Sequence, residues 1–403
     1  MSADTNELAR FSVAPGRGFL PPADPLRRLP DAFSAWEAIA ADLPKLLATQ
    51  QLKPALDRLP ILDAAPLEGA AIERAMLLLS FFGHGYAWES WRESVNARIP
   101  TGVAVPWYQV SQVLGRPPVL SYASYALNNW RRIDQSRPVE LGNLTLLQNF
   151  LGGLDEEWFV AVHVAIEAAA APALGAIWRA QSAAAADDPA GLESDLRTIG
   201  VSLGAMYRIL LRMPENCDPY IYYHRVRPYI HGFTEYPIVY EGVDAYRGQP
   251  RAFFGETGAQ STIVPALDAA LGIEHSSDEL RVYLNRMRDY MPEGHRAFLR
   301  AIEGRPSIRR FILNAPATSG HLRDAYDDCL RLTRDFRAKH LEYAASYIQK
   351  QHQAGAYNST LYGTGGTPFM KYLKKHRDET ARHLVGTDQS SDLPGRQVKD
   401  EAG

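Results

Sequence analysis

The chain has 403 residues, 46% of them apolar and 22% charged, a globular composition that excludes a disordered chain, a collagen and a coiled-coil rod. Lys and Arg number 43 against 46 Asp and Glu, so the net charge of -3 offers no bulk attraction to nucleic acid or an anionic membrane and points to a small partner. Cys217 and Cys329 are the only cysteines, which excludes a disulfide framework, a CxxC metal knuckle and a CxxCH attachment for covalent haem.

Helix signals outnumber strand signals throughout, and the expected fold class is all-α. The start, Met1 to Glu7, lacks the basic residues and apolar run of a secretory signal, so a cytoplasmic protein is expected. A first helix opens at Asp31 and keeps Phe33, Trp36, Ile39 and Leu43 at helical spacing before Pro44 kinks or ends it. Residues 72–96 read as a second helix interrupted near Gly83 and Gly85, and Pro100 to Pro118 as loop with a short helix inside it. Pro138 to Gly142 marks a seam, giving a small N-terminal helical domain at 1–140 packed on a larger helical one at 141–385.

Beyond the seam the helices lengthen: roughly 155–181, 188–213, 263–272, 277–289, 293–303, 305–313 and 321–352. Val160 to Trp178 is the most apolar stretch, but it holds His163, Glu167 and Pro172, where a spanning helix needs about 20 largely uncharged residues. It reads as a buried helix. Tyr220 to Gln260, rich in Tyr, Pro and Gly, reads as ordered loop, a common place for ligand contacts. Residues 386–403 are polar and read as a disordered tail.

Few residues along these elements suggest chemistry. Phe336, His340, Ala344 and Ile348 share one helix face, so His340 is either a packed core histidine or a stiffly presented ligand to iron. His163 stands before an alanine run that would admit a flat cofactor or another helix, with Glu167 one turn on and able to bond it. Arg225 and Arg227 lie among aromatics, where an arginine either clamps a carboxylate or stacks on surface tyrosines. The Gly363 to Thr367 run is neither a Walker nor a Rossmann motif and serves as a mobile anion-binding hinge or a plain linker; Gly255 to Ser261 is open in the same way. No HExxH, GxSxG or Cys-His dyad occurs, which argues against the commoner hydrolases.

Together these residues resemble the indoleamine 2,3-dioxygenases, from about Gly18 to Leu384. The pieces that carry the resemblance are Phe336-Arg337-Ala338-Lys339-His340, the Gly363 to Thr367 run, Arg288-Asp289-Tyr290-Met291-Pro292 and Asn129-Trp130. The resemblance implies a small helical domain over a larger haem domain, haem b bound non-covalently through His340, and O2 as co-substrate. It implies opening of the pyrrole ring of L-tryptophan or a related indole to an N-formylkynurenine-type product, with a source of electrons that the sequence does not name. Arg227 matches the arginine that receives the substrate carboxylate, and Thr364 the threonine of a mobile loop closing over it. Tyr122, Tyr125, Ala126 and Phe159 match positions lining the distal pocket. Two positions depart: His163 stands where the mammalian members have serine, and Glu256 where a small residue is usual. His163 is thereby assigned to the pocket, able to hydrogen-bond the indole N-H or bound O2. The rivals are a haem monooxygenase or peroxidase acting on another indole, and a haem sensor or carrier without turnover, which would need neither Arg227 nor the glycine loop.

Overall fold

Helices carry the regular structure of the computed structural model, which describes residues 7–89, 98–276, 279–316, 319–353 and 369–386, and the all-α expectation holds. A 3-10 turn at Asp31–Phe33 leads into α1 (Ser34–Ala48), then α2 (Leu52–Asp57), α3 (Gly69–Trp88) and α4 (Thr101–Leu114). The long pair α5 (Leu154–Ala185) and α6 (Pro189–Leu210) follows, then α7 (Ile263–Leu271), α8 (Glu279–Met287), α9 (Glu293–Glu303) and α10 (Ile308–Asn314). The histidine helix α11 (Gly320–Ala344) and the last helix α12 (Phe369–Ala381) are the last two of the α-helices of six residues or more. Strands are two residues each: β1 (Arg98–Ile99), β2 (Arg131–Arg132), β3 (Leu144–Thr145) and β4 (Val239–Tyr240). β1 pairs in parallel with β4, and β2 antiparallel with β3. The expected polar tail lies outside the described residues except for Gly386.

Packing bears on three expectations. A proline inside a helix leaves the carbonyl four residues earlier without its donor, yet α1 continues past Pro44 to Ala48. The reason is Gln148, whose Nε2 donates to the Ala40 carbonyl at 3.0 Å in place of the missing N-H. Asn129 fixes Gln148 in turn, exchanging two bonds of 2.8 Å with its backbone. The segment from Pro100, expected as loop, is instead the 14-residue α4; it contains Pro106 and ends at Gly115 in the left-handed region. Gly83 does not interrupt α3. A Cβ there would lie 2.0 Å from the Trp107 ring, so the glycine lets α4 press Trp107 against the α3 backbone.

Helix α5 is long and apolar enough to cross a membrane, but 72% of its most apolar window is buried within the protein, where it packs along α6 and touches α7 and α10. It is a core helix, as its sequence indicates. Buried apolar side chains form two clusters. One gathers α1 to α4 with Ile230 and Phe233; the other gathers α5, α6, α7 and α9 to α11 with Tyr222 and Val226. Helix α5 serves both, giving Val160 and Val164 to the first and Val162 and Ile166 to the second. His163 stands on this shared helix, between Val162 of one cluster and Val164 of the other.

Candidate active site

His340 lies towards the C-terminal end of α11. Loss of hydration, with His163 as a second cause, pushes its pKa down to about 4, yet the residue is exposed. The ring is therefore surrounded by protein mass yet borders a space open to solvent, the hollow of the candidate site. His163, on α5, is near enough across that hollow to act on His340 electrostatically. Burial lowers its pKa as well. Its Nδ1 is 2.7 Å from the Phe159 carbonyl, a contact that requires a proton on Nδ1 and leaves Nε2 as an acceptor.

Two π-helical turns, a form recurrent at functional sites, shape the His163 side. The first, Ala123–Leu127, carries Tyr125 and Ala126 and follows Tyr122. Tyr122 sets its ring edge-on to His163 at 6.0 Å, and Phe159 lies between His163 and Tyr222, with centroids 4.6 and 4.7 Å away. The hydroxyls of the wall are already committed. Tyr122 Oη donates to Glu167 Oε1 at 2.9 Å, Ser261 Oγ donates to the same oxygen at 2.9 Å, and Tyr125 Oη donates to Glu156 Oε1 at 3.1 Å. With these hydroxyls bonded, Tyr122 and Tyr125 have only their rings left for a ligand, and both rings are packed in the core. Glu167 is bound to Tyr122 and Ser261, and His163 bonds the Phe159 carbonyl in place of Glu167. Burial pushes both Glu156 and Glu167 up to about 7.

The second π turn, Tyr222–Val226, runs directly into the 3-10 turn Arg227–Ile230. It separates the two arginines: Arg225 is exposed, whereas Arg227 is fully buried with its guanidinium 5.4 Å from the Tyr223 ring centroid. Burial lowers the Arg227 pKa, and Tyr222 opposes that shift. Glu256 is also buried, its carboxyl pushed up to about 8 by loss of hydration. Thus Tyr122, Tyr125, Ala126, Phe159, His163 and Arg227 belong to one contiguous region. Thr364 and the rest of the Gly363 to Thr367 run lie outside the described residues.

Behind His340 stands a network that sequence reasoning missed. Arg337, one turn earlier on α11, donates from Nη2 to both carboxylate oxygens of Asp268 at 2.7 and 2.6 Å, and from Nη1 to Thr380 Oγ1. Asp268 contacts His275 Nε2 at 3.1 Å, while His275 Nδ1 meets Glu379 Oε2 at 2.7 Å. Burial opposes protonation of His275, but the hydrogen bond and charge of Asp268, with Glu379, raise its pKa. His275, His376 and Glu379 place ligand-type atoms within 4.8 Å of one another. The imidazoles, however, stack at 4.0 Å and 25°, so their in-plane lone pairs run side by side, and both nitrogens of His275 already face carboxylates. The cluster is an ion network that ties α11 to α7 and α12.

The model of the family described as indoleamine 2,3-dioxygenase matches residues 7–383. Indoleamine 2,3-dioxygenase 1 of Rattus norvegicus is 34% identical over 393 residues, covering 94% of this chain and 96% of the relative. Indoleamine 2,3-dioxygenase 2 of Homo sapiens is 33% identical over 395 residues, covering 94% and 95%. A protein named myoglobin from Haliotis madaka is 31% identical over 385 residues, covering 93% and 98%.

Proposed function

The chain belongs to the indoleamine 2,3-dioxygenase family, and on that premise we propose that it binds haem b through His340 and inserts both atoms of O2 into L-tryptophan or a closely related indole. The observation that carries this reading is that His340 and His163 stand near enough to act on each other electrostatically, with Phe159 and Tyr222 leading from His163 towards the buried Arg227. The residues suit the cofactor. Burial keeps His340 neutral, with a lone pair for iron, and the facing wall is aromatic rings and Ala126, fit for a flat apolar ring system. The two buried cysteines stand far apart in the sequence, so the attachment is non-covalent.

Bound haem supplies the O2-binding iron and the redox chemistry. The protein's part is orientation. Arg227 receives the substrate carboxylate, and a charged donor in a dry setting fixes its position strongly. His163 Nε2 accepts the indole N-H, which sets which edge of the ring is presented. Tyr122, Tyr125, Ala126 and Phe159 enclose the indole and exclude water. The C2=C3 bond of the indole breaks as both oxygen atoms enter, giving N-formylkynurenine from L-tryptophan.

The myoglobin-named relative favours a second reading, an O2 carrier on the same scaffold. One experiment separates the two: reduce the haem-loaded protein without air, add L-tryptophan and isotopically heavy O2, and weigh the product. The dioxygenase reading expects an adduct carrying two heavy oxygen atoms. Reversible O2 binding without any oxygenated indole overturns it in favour of the carrier.

A further inference from the structure

We propose that His84 is a positioning residue: from α3 it ties the backbone that carries Arg227 to the backbone that leads into Tyr122, and so sets the carboxylate-binding side of the site against the ring-binding side. The inference rests on the reading of Arg227 as the receiver of the substrate carboxylate.

Arg227 opens a short 3-10 turn that ends at Ile230, and a turn that stops leaves its last carbonyls in need of donors. Here they are answered one after another. The Pro228 carbonyl accepts from His231 N at 3.4 Å, the Tyr229 carbonyl from His84 Nδ1 at 2.8 Å, the Ile230 carbonyl from Glu256 N at 3.1 Å and the His231 carbonyl from Trp88 Nε1 at 3.1 Å. His84 and Trp88 stand four residues apart on α3, hence on one face, and meet alternate carbonyls of the segment. Phe233 packs on both, its ring centroid 4.8 Å from that of His84 and 6.1 Å from that of Trp88.

The other ring nitrogen reaches the opposite side. Leu120 N donates to His84 Nε2 at 2.9 Å, and Tyr122, two residues on, is held through its own N-H by Gln260 Oε1 at 2.9 Å. A carbonyl on one side and an N-H on the other demand opposite roles of the two nitrogens, which fixes a neutral imidazole with its proton on Nδ1. A second proton would set an N-H against the Leu120 N-H. Burial opposes that proton as well, pushing the pKa of the fully buried ring down to about 3. His84 thus spans two segments that each carry a residue of the site. An apolar side chain of the same size would fill its space and supply neither bond.

The test is equilibrium binding to the haem-loaded full chain, read by the haem absorption spectrum and by calorimetry, with L-tryptophan and unsubstituted indole as probes. Two amides divide the imidazole between them: the Asn nitrogen takes the place of Nδ1, and the Gln oxygen that of Nε2. His84→Gln keeps an acceptor for Leu120 but leaves the Tyr229 carbonyl without its donor, so the preference for L-tryptophan over indole should fall by about three- to tenfold. His84→Asn keeps the donor to Tyr229, and the preference should stay within about twofold even as both ligands weaken together. A merely structural histidine would change the preference equally in both variants, or in neither, and either result overturns the inference. Should a His84 variant fail to fold, Trp88→Phe takes over the test. It keeps an aromatic ring, drops the donor to the His231 carbonyl and should lower the preference by about two- to tenfold; an unchanged preference overturns the inference. If the wild-type chain binds L-tryptophan no more tightly than indole, the carboxylate reading of Arg227 falls and this inference with it. If the wild type shows the preference and all three variants keep it, only the inference falls.

Discussion

The two walls of the hollow bury the same kind of group with opposite results. On the α5 side, burial dominates and pushes Glu156 and Glu167 up to about 7 and Glu256 to about 8. On the α11 side, burial pushes in the same direction, but Arg337 and His275 outweigh it at Asp268, whose pKa is lowered; Ser276 and His275 outweigh it at Glu379, held down to about 2. The difference is the partner. Tyr122, Tyr125 and Ser261 offer hydrogen bonds without charge, whereas Arg337 and a protonated His275 offer both. The His340 wall is thus locked by ions, and the His163 wall is left able to take or release protons when a ligand changes its surroundings.

The largest effect should follow from removing the proposed ligand to iron. His340→Ala should lose stable haem binding, since the network behind it fixes α11 but supplies no imidazole to the hollow. An unchanged haem spectrum in this variant would sink the assignment. Next comes the lock itself. Asp268→Asn leaves Arg337 buried beside a neutral group, so it should cost about 3–5 kcal/mol of unfolding free energy in a denaturant titration. A loss below about 1 kcal/mol would make the ion network of the His340 wall decorative.

Proton linkage gives a third test, in which the two walls should respond with opposite sign. The pKa of Glu167 is raised in the folded state, so its contribution is fully present below its ordinary value of 4.5 and is lost as pH rises to about 7. The stability of the wild-type chain relative to Glu167→Gln should therefore fall across that window by at most about 1.4 kcal/mol per pH unit. Glu379 is depressed, so its contribution is present above 4.5 and is lost as pH falls towards about 2. Relative to Glu379→Gln, the wild-type advantage should shrink in that acid window only. Slopes of the same sign would erase the contrast between the walls.

A smaller effect is expected at Arg227. Arg227→Leu should weaken L-tryptophan by about ten- to a hundredfold, the equivalent of about 1.5–3 kcal/mol for a hydrogen bond to a charged group. Unsubstituted indole should bind nearly as before. Equal losses would show that Arg227 supports the fold and leaves the carboxylate alone.

What the sequence discloses divides along the same line. Helix spacing places His340 and His163 on α11 and α5, because periodicity is a local property. The partners that decide their chemistry are not local: Arg337 meets Asp268 across 69 positions and His275 meets Glu379 across 104. Pattern also fails where a distant side chain repairs a local defect, as Gln148 does for Pro44 from 108 residues away from the carbonyl it caps. The π turns at Ala123–Leu127 and Tyr222–Val226 shift the register by a residue and leave no signal in the spacing. Arg225 and Arg227 are equivalent on paper, and it is the π turn that buries one and exposes the other.

The smallest effect should come from His163, and it asks whether the α5 wall tolerates replacement where the α11 wall does not. Its Nδ1 is occupied by the Phe159 carbonyl, so only Nε2 can take the indole N-H, through a bond between neutral partners. Such a bond contributes about 0.5–1.5 kcal/mol, or roughly a two- to tenfold change in affinity. His163→Ser shortens the side chain beyond reach of the same atom while leaving His340 and the Arg337 network intact. Haem content and unfolding free energy should then hold, L-tryptophan should bind a few-fold more weakly, and the wild-type preference for L-tryptophan over its N1-methyl derivative should shrink. The derivative lacks the N-H and carries a methyl group that the smaller serine would admit. If haem is lost with the substitution, His163 belongs with the structural groups of the opposite wall; if the preference for the free N-H survives unchanged, the indole meets some other acceptor.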